Sequence, residues 1–273
     1  MSDLSTETLW IDTGPGRLFA KAWHAAGDEA PIVLLHDSLG CVALWRDFPQ
    51  RLSEATGRTV IAYDRLGFGA SDPHPGDLPP GFIEDEAAGA FSAVRERLRL
   101  DRFVLFGHSV GGAMAAGCAA AFGERCHALV TESAQAFVED RTVQGVSNAR
   151  HAFAGPAPLE RLRKYLGDKA PWVLRAWVDT WLSEDFRGWR LDAALQRVAC
   201  PVLAIHGGDD EYGSLSHAER IAAQVQGPAV LEILPACGHV PHREQEGAVL
   251  RVVRGFLDGP GGARGAGREA ARP

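Results

Sequence analysis

The 273-residue chain has no uninterrupted apolar run long enough to span a bilayer, which takes about 20 residues in a helix. A membrane partner is therefore not expected. The N-terminus, Met1-Ser2-Asp3-Leu4, is acidic and carries no apolar segment of the signal-peptide kind. Positive charge is also in short supply. The formal net charge is −7 and no basic stripe occurs, so nucleic acid is not an expected partner either. Cysteine is sparse and unpatterned. Cys41, Cys118, Cys126, Cys200 and Cys237 are odd in number and lack C-x-x-C or metal-ligand spacing. That argues against a disulfide framework and for reduced thiols in a cytoplasmic protein. Internal repeats are missing as well, which sets aside solenoids and propellers.

What the chain does contain is an alternation of strand and helix patterns. Residues 7–25 read as an antiparallel hairpin around Gly14-Pro15-Gly16, with alternation over Thr8–Asp12 and Leu18–Trp23. Continuous apolar runs follow at Pro31–His36, Thr59–Asp64, Phe103–Phe106, His127–Thr131, Pro201–His206 and Val230–Leu234. Runs of this kind belong to strands covered on both faces. Between them lie helical patterns over Leu44–Ala55, Phe82–Leu98, Ser216–Val225 and Pro241–Leu257. The predicted fold is α/β: a mostly parallel twisted sheet with helices on both faces. The rhythm breaks from Ser133 to Arg190, where no strand pattern appears and four of the seven tryptophans fall. The predicted organisation is a core of residues 1–132 and 191–258 with a helical insertion at 133–190. A low-complexity tail over 259–273 is expected to be disordered.

One stretch organises the rest. Phe103-Val104-Leu105-Phe106-Gly107-His108-Ser109-Val110-Gly111-Gly112 runs from an apolar strand through a glycine-rich corner into a helix. This is the G-x-S-x-G elbow, in which a sharp turn forces the serine hydroxyl into the open. Glycines stand where side chains would strike the neighbouring strand and helix. The helix N-terminus lies where negative charge would develop. The bland alternative is a serine that merely caps the helix.

These residues resemble the α/β-hydrolase family over about residues 8–257. The elbow GHSVGG carries the resemblance, together with HDSLG after the third strand, DRLGFGASD, HGGDDEYG and the late Gly238-His239. The resemblance implies that Ser109 is the nucleophile, Asp210 the acid and His239 the base. It also implies that the insertion is a helical cap over the site. A free serine hydroxyl is a poor nucleophile and needs a base within reach. Imidazole suits that task because it can accept and return a proton near neutral pH. His242 competes for the role of base. Glu132, at the end of the sixth strand, competes for the role of acid.

The oxyanion donors implied are the backbone N–H groups of Val110 and Ser38. Here the chain departs from the family's commoner His-Gly pattern, because Asp37 occupies the glycine position. A carboxylate beside a developing oxyanion is harmful unless it is turned away or paired. The segment Asp64 to Asp72 reads as structural, with Arg65 and Asp72 as a candidate pair. His36 and His108 read as packing and hydrogen-bonding residues, and Cys41 and Cys237 as buried thiols. Trp172, Trp177 and Trp181 are candidates for the wall of an apolar pocket.

The reaction expected from this resemblance is acyl transfer to water. Its substrate would be a small to medium carboxylic ester or thioester with an apolar acyl part. Carbon–carbon hydrolysis of a vinylogous diketone and plain ligand binding are the alternatives. A dehalogenase of the aspartate-nucleophile type does not fit a serine at position 109. No metal or organic cofactor is implied, and self-association into a homo-oligomer stays open.

Overall fold

The computed structural model describes residues 4–259. The expected tail lies outside the described residues apart from Gly259. Strand β1 (Ser5–Asp12) pairs antiparallel with β2 (Arg17–His24), and β2 pairs antiparallel with β4 (Val60–Tyr63). From there the sheet is parallel. Strands β3 (Ile32–Leu35), β5 (Phe103–His108), β6 (Cys126–Glu132), β7 (Val202–Gly207) and β8 (Ala229–Leu234) complete eight strands in the order β1-β2-β4-β3-β5-β6-β7-β8.

Side chains alternate across each strand, so each strand feeds two cores. On β5, Phe103 and Leu105 face one side, while Val104 and Phe106 face the other, all fully buried. The first face is covered by α3 (Ala90–Arg97) and α4 (Val110–Phe122), through Phe91, Val94, Ala113 and Met114. Helix α9 (Ser216–Gln224) adds Ala218 and Ile221 to the same face. The second face is covered by α1 (Phe48–Thr56) and α11 (Glu246–Asp258), through Phe48, Leu52, Val249 and Val253. Each of the larger of these side chains, the Phe, Leu, Ile, Val and Met residues, contributes about 1.5–3 kcal/mol by leaving water.

Three expected helices are shorter or broken. The Leu44–Ala55 pattern is a 3₁₀ turn at Val42–Trp45 and then α1, because Arg46 adopts φ 54° between them. Pro49 is tolerated because it stands in the first turn of α1, where no N–H partner is lost. The Phe82–Leu98 pattern divides into α2 (Phe82–Asp85) and α3, with Gly89 in a non-helical conformation. The last helix divides at Gln245 into α10 (Pro241–Glu244) and α11. The Gln245 side chain donates to the carbonyl of Pro235, 2.7 Å away, fixing the break to the loop that follows β8.

Between β6 and β7 lie α5 (Asp140–Ala152), α6 (Pro156–Leu166), α7 (Ala170–Trp181) and the single turn α8 (Asp192–Leu195). The helical insertion spans Pro156–Trp181. An isolated antiparallel bridge between Phe137 and Arg190 ties the two ends of the wider excursion together. Among the described residues, no helix is long and apolar enough to cross a membrane.

Parallel strands point the same way, so the loops after β3, β5, β6, β7 and β8 emerge on one edge of the sheet. In open α/β sheets that carboxyl edge is where ligands bind.

Candidate active site

Ser109 sits between β5 and α4 with φ 57° and ψ −126°, a conformation that a non-glycine residue adopts only under strain. Its side chain does not cap α4. The flanking glycines show what holds the corner. A Cβ on Gly107 would lie 2.1 Å from the Gly111 carbonyl oxygen, and one on Gly111 would lie 2.2 Å from the Leu35 carbonyl oxygen. Helix and strand approach too closely for any side chain there.

The structure brings Ser109, Asp210 and His239 together. His239 Nε2 is 3.0 Å from Ser109 Oγ, and His239 Nδ1 is 2.9 Å from both carboxylate oxygens of Asp210. A carboxylate only accepts, so Nδ1 carries the proton and Nε2 offers its lone pair to the serine hydroxyl. The loop holding His239 is itself braced. The Glu244 carboxylate accepts the N–H groups of Gly238 at 2.6 Å and Val240 at 3.0 Å, one on each side of the histidine. Asp210 Oδ1 also accepts the N–H groups of Tyr212 at 2.8 Å and Gly213 at 3.1 Å.

Burial alone would raise the Asp210 carboxyl. The ring N–H of His239, the electrostatic influence of the His239 and His206 rings and the Tyr212 N–H outweigh burial and hold the group at about 2. A carboxyl held below its unfolded value of 3.8 stabilises the fold above that value and stops doing so as pH falls through about 2. The contribution is about 2 kcal/mol at neutral pH. In calorimetry, the Tm gap between wild type and Asp210→Asn should therefore be widest near neutral pH and narrow from about pH 4 downward.

The competing pair has a place of its own. His242 Nδ1 is 2.6 Å from Glu132 Oε2, and the His242 ring packs against Trp45 and Phe48. Both residues are buried. Glu132 therefore orients His242 and not His239. With His108, this pair forms the one group of metal-ligand side chains among the described residues whose donor atoms lie close together, within 4.8 Å. The hydrogen bonds already made, from His242 to Glu132 and from His108 to the His239 carbonyl, mark it as a charge network rather than a metal centre.

The pocket over Ser109 has a volume of about 180 Å³. Trp177, Trp181, Tyr212 and Val146 supply apolar wall, and the loop after β3 adds Asp37, Ser38 and Leu39. Trp172, expected in this wall, is elsewhere. Its indole N–H donates to the Gly76 carbonyl at 2.9 Å, its ring stacks on His74, and it lines a separate cleft. It lies at the first turn of α7, whereas Trp177 and Trp181 lie one to two turns further on, over the site. The expected Arg65–Asp72 pair is also corrected. Asp72 pairs with Arg17 at 3.2 Å, while Arg65 turns inward to donate to the Asp37 carbonyl at 2.8 Å.

Cys41 and Cys237 are both pushed up to about 12, chiefly by burial, which keeps their thiols protonated. Gln135, which sequence reading passed over, has its side-chain oxygen 3.2 Å from Ser109 Oγ and is buried. It stands three residues past the end of β6, so the rule about carboxyl-edge loops could have found it. Tyr212 lies inside the HGGDDEYG segment, and its ring packs 4.8 Å from that of His239.

A mostly parallel sheet in this strand order, with a strained serine elbow at its carboxyl edge, is the architecture of an α/β hydrolase. The family profile described as the alpha/beta hydrolase fold matches residues 30–199, and the chain belongs to that family. It is 30% identical over 241 residues to the human "Serine hydrolase BPHL", covering 85% of this chain and 80% of that protein. It is 26% identical over 263 residues to the "2-hydroxy-6-oxo-2,4-heptadienoate hydrolase" of Pseudomonas putida, covering 86% and 91%. Among solved structures, carboxylesterase CesB (YbfK) from Bacillus subtilis superposes with a TM-score of 0.69 at 22% identity, covering 94% of this chain and 93% of that one.

Proposed function

We propose that this protein is a serine hydrolase that cleaves a small, uncharged carboxylic ester or thioester through an acyl-enzyme. The reading rests chiefly on the 3.0 Å contact between His239 Nε2 and Ser109 Oγ, with Asp210 behind the ring. In this mechanism Ser109 attacks the carbonyl carbon while His239 takes its proton. The Val110 and Ser38 N–H groups receive the oxyanion. His239 then returns the proton to the leaving group, and the same ring activates water to release the acid. The helices between β6 and β7 act as a cap, through Trp177 and Trp181.

The pocket supports a small acyl group. Its volume of about 180 Å³ is below the range of about 300–1,000 Å³ common for drug-sized ligands. Beyond Trp177 and Trp181, a narrow constriction shared with Phe68, Leu78 and Phe82 leads toward a second cavity of about 500 Å³. Trp181→Ala should therefore open the pocket to longer chains. With p-nitrophenyl esters of graded length, kcat/KM for octanoate relative to acetate should rise about tenfold, the gain from roughly two newly accommodated methylenes at about 0.8 kcal/mol each. An unchanged chain-length profile would place the acyl group elsewhere.

The second reading is carbon–carbon hydrolysis, favoured by the near full-length match to the Pseudomonas putida dienoate hydrolase. A dienoate carries a carboxylate, which would call for a cation in the pocket. Among the described residues lining it there is no Arg or Lys, and the His108 ring is already set against the Asp37 carboxylate. Turnover of p-nitrophenyl acetate without decay of a ring-fission dienone supports the ester reading. The opposite pair of results supports the carbon–carbon reading.

A further inference from the structure

Asp37 is the residue that the proposed chemistry least tolerates, and the structure shows what stands against it. Its Oδ1 accepts the Leu39 N–H at 2.7 Å, which shapes the loop that presents Ser38. Its Oδ2 lies 3.3 Å from Nδ1 of His108, the residue immediately before the nucleophile. The other ring nitrogen of His108, Nε2, is 2.8 Å from the backbone carbonyl of His239. A carbonyl oxygen only accepts, so Nε2 bears a proton. Nδ1 makes no aligned hydrogen bond, but at 3.3 Å a bare lone pair there would face a carboxylate, which favours a proton on it as well. A ring with both nitrogens protonated is an imidazolium. It is 1% exposed, so its charge is balanced by protein groups rather than by water.

We infer that His108 is a positioning residue of the active site: its imidazolium joins the Asp37–Ser38 loop to the His239 loop and cancels the Asp37 charge beside the oxyanion position. The inference rests on the acyl-transfer reading above. It assigns a reason for the departure at Asp37, since loop and elbow carry opposite charges that meet at one contact.

The surroundings of His108 agree. From the β3 side come Asp37 and His36, the latter lowered to about 3, chiefly by burial, and so neutral. From the end of β6 comes Glu132, already bonded to His242 of α10. The His239 ring lies 5.2 Å away and the His242 ring 5.0 Å away. Burial pushes the His108 imidazole down, but Asp37, the Glu132 charge and the His239 carbonyl outweigh it and raise it above its ordinary value. Burial pushes the Asp37 carboxyl up, but His108, His36 and the Leu39 N–H hold it below the usual carboxylate range. The sign follows. The imidazolium is present below its raised value and is lost as pH rises through it. Above that point Asp37 loses its contact cation on the elbow side, Arg65 remaining at its backbone carbonyl, and kcat should fall.

The test compares wild type, His108→Gln, Asp37→Asn and the double variant, reading kcat and KM for p-nitrophenyl acetate from pH 5 to 10. Glutamine can still donate to the His239 carbonyl but carries no charge, which separates charge from hydrogen bonding. His108→Gln should lower kcat on the order of tenfold to a hundredfold, with KM nearly unchanged. The double variant should recover most of that loss, because no carboxylate remains to be cancelled, and its alkaline decline in kcat should disappear. Histidine-ring NMR on wild type should show a doubly protonated His108 at pH 7, and Asp37→Asn should lower its titration midpoint.

A double variant no better than His108→Gln, or a neutral His108 ring at pH 7, overturns the inference. The ring NMR and the Asp37→Asn titration decide the matter even where His108→Gln does not fold. Failure of the hydrolase reading looks different: wild type itself neither turns over esters nor accepts a fluorophosphonate at Ser109.

Discussion

Ser109→Ala should lower kcat for p-nitrophenyl acetate on the order of 10⁴- to 10⁶-fold and abolish labelling by a fluorophosphonate. The magnitude follows from the division of labour in the proposed site. Among the described residues the hydroxyl is the group the histidine faces, and without it the histidine and aspartate have nothing to activate. Residual turnover would come from the oxyanion donors and from binding alone. Alanine also relieves no packing constraint that could mask the result. Ser109 is held by backbone contacts, its N–H donating to the Glu132 carbonyl at 2.9 Å, and the variant should fold. The check is single-turnover kinetics beside intact-protein mass spectrometry after fluorophosphonate treatment. A labelled alanine variant, or turnover within tenfold of wild type, would remove the serine mechanism.

The second large effect concerns the acid. Asp210→Asn should reduce kcat on the order of 10⁴-fold with little change in KM. Asparagine nearly preserves shape, but its amide can present N–H groups to His239 Nδ1. The ring would then shift its proton to Nε2, where it meets the serine hydroxyl as a donor instead of an acceptor. The loss arises from the wrong tautomer, not from a missing contact. Glu132→Gln makes the same chemical change in the neighbouring pair, and it should cost far less turnover because Glu132 bonds to His242. Steady-state kinetics on the two variants side by side decides which carboxylate serves the base. Equal losses, or a larger loss with Glu132→Gln, would reverse the assignment.

Much of this was legible in the chain before any coordinates. The runs at Pro31–His36 and Phe103–Phe106 read as strands covered on both faces, and β3 and β5 are just that, paired in register with Ile32 beside Val104. The hairpin around Gly14-Pro15-Gly16 pairs Leu9 with Ala20, as its alternation required. Helix continuity was less legible. Gly89, Arg46 and Gln245 break patterns whose apolar spacing runs straight through them, since periodicity reports which face is buried and not whether the backbone continues. Pocket walls were the least legible. All three tryptophans of α7 share one short amphipathic segment, yet Trp172 points to Gly76 and His74 while Trp177 and Trp181 reach the serine's pocket.

The sequence by itself determined the mostly parallel sheet and the serine elbow. These are local matters, settled by apolar runs and by glycines that leave room where strand and helix touch. Only the tertiary structure decided which of two histidine–carboxylate pairs faces Ser109, and that Asp37 meets His108. Those contacts join side chains up to 130 positions apart. Their partners are chosen by strand order and loop direction, which no stretch of neighbouring residues encodes.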